Sequence, residues 1–103
     1  MTYTDPLHPS FDSAADNFRF HTEMRWVHAE AIERHGGDLE DARKWITLVW
    51  RVEPDPVETA IIAAVTHLID EAMAHELAQM TRAMASKHTR RMMATSHLLE
   101  SAA

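Results

Sequence analysis

Cysteine is absent from all 103 residues, which rules out a disulfide framework, a thiolate zinc site and a cysteine nucleophile. Glycine is nearly absent too, at 2, and proline stands at 4, a composition that argues against a disordered or an all-β chain. No apolar run approaches the roughly 20 residues that a helix needs to cross a bilayer, so no membrane span is expected. The opening Met1-Thr2-Tyr3-Thr4-Asp5-Pro6 has no basic region followed by an apolar stretch, and by elimination the expected location is cytoplasmic. The sequence also lacks a phosphate-binding glycine loop, a nucleophile elbow and any Ser-His-Asp arrangement that spacing could reveal. Glu30-x-x-Glu33 stands without the second acidic motif that an all-α nucleotide pyrophosphatase requires. No motif names a reaction, and no cofactor is expected.

Hydrophobic residues at 46% and charged residues at 25% are ordinary for a globular protein, so the chain is expected to fold. Its length suits one domain, small enough that an interface between copies would help stabilise it. The formal net charge of −6 is unevenly spread: from residue 77 onward Arg82, Lys87, Arg90 and Arg91 oppose Glu100 alone, giving +3, so residues 1–76 carry −9. An acidic body disfavours nucleic-acid binding, which draws most of its non-specific affinity from phosphate neutralisation. The basic end, with Arg90 and Arg91, suits an acidic partner or the acidic body of a second copy.

Residues 1–12 carry Pro6 and Pro9 without periodicity and read as an extended arm, with Tyr3, Leu7 and Phe11 available to tuck in. Residues 13–103 read as a single helical domain. Ser13 caps a first helix over about 14–35, which Gly36-Gly37 ends because glycine tolerates a left-handed turn. Asp38 caps a second helix over about 39–52, with Leu39, Ala42, Trp45, Ile46, Val49 and Trp50 as one apolar face and Pro54 beyond its end. Residues 45–52 are also rich in β-branched and aromatic side chains, so a strand pairing with another copy is the alternative there. The third helix opens on Asp55-Pro56-Val57-Glu58, the pattern of a capping box with proline at the first helical position. It runs without Gly or Pro through Ile62, Val65, Ile69, Met73, Met80 and Met84 to residue 85, and continues more weakly to about residue 99. The fold class is therefore all-α, a three-helix unit with a long C-terminal helix, packed as a dimeric bundle in which two copies join their third helices.

Two histidine patterns merit weighing as chemistry. His21, His28 and His35 recur every seven residues along the first helix, inside its apolar arc, drifting about 20° per step. Neighbours in that line stand about 10 Å apart, too far for two to share one ion, so they read as packed seam residues. His67, Glu71 and His75 follow one another at four-residue spacing, where adjacent members approach one another and such a pair chelates metal. With Glu76, which falls on the apolar arc and would need a charge partner if buried, they are the candidate metal ligands. The plainer reading is an ion pair on a solvated flank and a salt bridge at a helix seam.

The candidate partner-binding residues are Met73, Met80 and Met84 on one face of the third helix, Trp26 projecting away from the main arc of the first helix, and Arg90 and Arg91. Methionine packs adaptably against varied surfaces, and an exposed tryptophan is an effective anchor; an ordinary core is the more common use of such a methionine stripe, and the alternative for Trp26 is to cover the face of the second helix. The leading functional expectation is a non-enzymatic protein that binds another protein, as adaptor, assembly factor or inhibitor, and forms a homodimer. The alternatives are a metal- or cofactor-binding bundle built on the His/Glu residues and, more weakly, an acidic mimic of nucleic acid.

Overall fold

Three helices form, and the residues that start and stop each are identifiable: α1 Ala14–Arg34, α2 Leu39–Leu48 and α3 Pro56–Ala102. The computed structural model describes the backbone of residues 5–102 and the side chains of residues 5–87, 89 and 90. Among the described residues there is no strand, so the strand alternative for residues 45–52 is not adopted. The chain divides into two units, Met1–Met73 and Ala74–Ala103.

In the first unit the caps act as the sequence leads one to expect. Ser13 accepts a hydrogen bond from the Asp16 N–H at 3.2 Å, supplying one partner for the free amides of the first turn. At the other end of α1, the Gly37 N–H donates to the Ile32 carbonyl at 2.9 Å and the Gly36 N–H to the Glu33 carbonyl at 3.2 Å. This paired closure needs a left-handed residue, which Gly36 provides at φ +59°. Asp38 accepts from the Asp41 N–H at 3.0 Å to begin α2. At α3 the capping box is reciprocal: Asp55 Oδ1 accepts from the Glu58 N–H at 2.7 Å, and Glu58 Oε1 accepts from the Asp55 N–H at 3.2 Å. Asp55 Oδ2 also takes a hydrogen bond from Arg19 Nη1 at 3.0 Å, so one carboxylate caps α3 and ties it to α1. Its pKa is held below the ordinary value, first by the Glu58 N–H and then by Arg19, against an opposing effect of partial burial.

The second helix is shorter than its apolar pattern predicts. It ends at Leu48, not near residue 52; Val49 is exposed, and Trp50 packs against the core from the loop beyond. The cause is local. Both the Val49 and Trp50 N–H groups close on the Trp45 carbonyl, Val49 and Val52 are stiff β-branched residues, and the residue before Pro54 is driven out of the helical region. Arg51 then stacks on the Trp50 ring at 4.3 Å and pairs with Glu58, pinning this loop to the start of α3.

The core draws on all three helices: Phe20, Val27 and Ala31 from α1; Ala42, Trp45 and Ile46 from α2; Val57, Ile61, Ala64, Val65 and Ile69 from α3. Leu7 and Phe11 of the N-terminal arm pack on it, as expected of that arm, while Tyr3 lies outside the described residues. The arm is fastened by a double hydrogen bond in which Asn17 receives the Phe11 N–H and donates to the Phe11 carbonyl, both at 3.1 Å. Arg43 on α2 reaches Asp70 on α3 at 2.7 Å. Such a half-exposed pair contributes little stability and serves mainly to orient the helices.

One buried polar atom, Thr66 Oγ1, has no hydrogen-bond partner among the described residues. Thr66→Val keeps the shape and removes the unsatisfied hydroxyl, so it is expected to stabilise the fold by about 1 kcal/mol. Chemical denaturation measures this; a loss of stability would mean that the hydroxyl is bonded to water.

In the second unit, every described side chain from Ala74 to Arg90 is exposed. Glu76, placed by periodicity on the apolar arc, is exposed and not buried. The reason is where the core stops: Ile69 is the last buried position on α3 among the described residues, and every described side chain around Glu76 on that helix is exposed.

Candidate interaction surface

On an α-helix, positions spaced alternately by three and four residues share one side. Leu77, Met80 and Met84 follow that spacing on α3, and they are 65%, 63% and 69% exposed. Met73, earlier on the same helix, instead packs partly buried against the core. The methionines expected to share one face thus fall into two groups, one spent on the fold and one left to solvent. Leu77 was not among the sequence candidates, although its spacing of three from Met80 and seven from Met84 marks it as part of the same face. Around this face stand Glu76, Lys87 and Arg90, all exposed, while Arg82 lies on the opposite side of the helix. The side chain of Arg91 lies outside the described residues.

The first unit carries two further apolar patches. Trp26, at 74% exposed, projects outward as expected, with Phe18 equally exposed on the same helix. Trp26 borders a hollow of about 500 Å³ lined by Ala29, Glu30, Glu33 and Arg34. All five lining residues belong to α1. Arg34 is engaged at this site, 3.5 Å from Glu30 and over the Trp45 ring at 5.4 Å. The second patch, Leu48, Val49 and Val52, is exposed where α2 gives way to its loop. Sequence patterning misses it because it assigns Val49 to a buried helical face.

Of the four candidate metal ligands, His67 and Glu71 come together. His67 Nε2 lies 3.0 Å from Glu71 Oε1, an ion pair on the surface of α3 when the imidazole is protonated. His75 Nε2 meets the side-chain amide of Gln79 at 3.1 Å. Glu76 is exposed. Among the described residues no three His, Asp or Glu side chains gather closely enough to hold one ion.

The histidine line on α1 is taken up by packing. His35 Nδ1 donates to the Ala31 carbonyl at 2.7 Å, and the ring lies 6.1 Å from that of Trp45. His21 stacks edge-on against Phe20 at 5.2 Å and lies 5.9 Å from His8. Burial lowers the pKa of His28 below its ordinary value, favouring the neutral ring. His21 and His35 thus each have neighbours of their own, and His28 is partly buried.

No helix among the described residues is long and apolar enough to cross a membrane. No protein-family model, curated protein or solved structure matches the chain.

Proposed function

We propose that this chain is a non-enzymatic interaction protein of the cytoplasm, which binds another protein through the Leu77, Met80 and Met84 face of α3 and acts as an adaptor, assembly factor or inhibitor. One observation carries the reading: a long stretch of helix presents large apolar side chains, while every described side chain between Ala74 and Arg90 is exposed. Helices in water draw most of their stability from packing one face against something. An apolar face open to solvent is accordingly the kind of surface that partner binding covers. The chemistry suits a helix laid along a groove or another helix, where apolar residues at i, i+3 and i+7 act as anchors. Methionine lets such a face adapt to the partner's contour. Trp26 with Phe18 and the Leu48, Val49, Val52 patch supply secondary contacts.

Binding assays with the chain carrying Met80→Glu and Met84→Glu test this. Both positions are exposed, so helicity and thermal stability are expected to match the parent by circular dichroism. A partner retained by the parent and identified by mass spectrometry should, once purified, lose binding to the variant by about 100-fold or more, since charged residues are placed where apolar anchors must be desolvated. Unchanged affinity of the purified partner would refute the assignment to this face.

A further inference from the structure

We infer that the Leu77, Met80 and Met84 face pairs with the same face of a second copy, antiparallel, about a two-fold axis beside Arg82 and Ala83. The inference rests on the proposal that this face is a binding surface and names its occupant. The argument comes from the symmetry of the sequence around that point on a continuous helix. Met80 and Met84 are equidistant from residue 82, and so are Leu77 and Lys87. Two helices running in opposite directions therefore set Met80 against Met84 of the other copy twice, with Leu77 against Lys87 at each end. The aliphatic stem of Lys87 can cover the leucine while its ammonium group stays in water.

The flanking residues show a symmetry centred one residue further along. Glu76 and Arg90 each lie seven residues from Ala83, about 10 Å along the axis in opposite directions. With the axis at residue 82, antiparallel pairing brings each Glu76 to within two residues, about 3 Å along the helix, of an Arg90 of the other copy, and the two long side chains span that offset to give two ion pairs related by the axis. At the axis itself the flanking side chains are small, Ala83 on one side and Thr81 on the other, which lets the helices approach closely. The Thr81 hydroxyl already donates to the Leu77 carbonyl at 2.9 Å, so covering it leaves no donor unsatisfied. A parallel arrangement in register would instead set Lys87 against Lys87 in the seam and remove both acid-base pairs. The charges thus select the orientation, and the apolar face supplies the affinity. Because few residues are covered, association is expected to be weak and concentration-dependent.

Sedimentation equilibrium from about 1 µM to 1 mM, combined with charge exchange, tests the pairing. The parent should pass from monomer to dimer in this range. E76R alone and R90E alone should each weaken dimerisation roughly tenfold, because every substitution is counted twice by symmetry and turns attraction into repulsion. The E76R and R90E double variant should return to within about threefold of the parent, since the pairs are restored with their signs exchanged. A parent monomeric throughout the range overturns self-pairing, and a dimer in which the double variant is no stronger than the singles overturns the antiparallel register. The test of Met80→Glu with Met84→Glu against a heterologous partner reads out separately. If that variant loses the partner while the parent stays monomeric, the binding face stands and only its occupancy by a second copy fails.

Discussion

Phe20→Ala is expected to be among the most destabilising single substitutions in this chain, lowering stability by about 3–5 kcal/mol. Phe20 is fully buried on α1, its ring lying 5.8 Å from that of Phe11 and edge-on to His21. Truncation removes the apolar area that the ring withdraws from water and leaves a cavity that the helices can close only in part. It also removes the surface on which Phe11 of the N-terminal arm rests. A domain of this size has about 5–15 kcal/mol in total, so the melting temperature should fall by at least about 12 °C. The variant should melt with a broadened transition or be unfolded at ambient temperature. Exposed Phe18, two residues earlier, is the internal control: Phe18→Ala should leave the melting temperature almost unchanged. Equal effects at the two positions would contradict the orientation of α1.

Punctuation was the most legible part of this fold. Ser13, Gly36-Gly37, Asp38 and the Asp55 to Glu58 box each supply a hydrogen-bonding group or a backbone freedom that a helix end needs, and such demands are local. Helix starts were accordingly right to the residue, and the end of α1 to within one. The end of α2 was not legible, because its apolar face continues through Val49 and Trp50 while the backbone turns away. Two β-branched valines and a following proline outweigh a hydrophobic period there. What was not legible at Glu76 and Met80 has another cause. Periodicity shows which residues share a face, but it carries no information about whether a neighbour covers that face. Ile69 and Met80 are both apolar residues of α3, and one is buried while the other is mostly exposed. The same limit explains Leu77, which its spacing marks as clearly as Met84, and which becomes a candidate only once its exposure is known.

Deleting residues 77–103 should separate the two roles of α3. All the core residues, from Phe20 to Ile69, lie in the part that remains, as do the Asp55 cap, the Arg19 and Arg43 ion pairs and the partly buried Met73. The shortened chain, residues 1–76, is therefore expected to unfold cooperatively with a melting temperature within about 5 °C of the parent. A segment whose described side chains are all exposed adds little to global stability, since an isolated helix is only marginally stable in water. Molar helicity should fall in proportion to the residues removed. Association should disappear altogether, because Leu77, Met80, Met84 and Arg90 are gone, and the formal net charge moves from −6 to −9 as the +3 segment is lost. Retained dimerisation would place the interface on Trp26 or on the Leu48, Val49, Val52 patch, and outright unfolding would mean that the core depends on residues beyond 76. A folded, monomeric remnant would assign stability to the first part of α3 and binding to the second. The helix would then be one continuous backbone carrying two separable functions, divided where the core stops at Ile69 and Met73 and solvent begins.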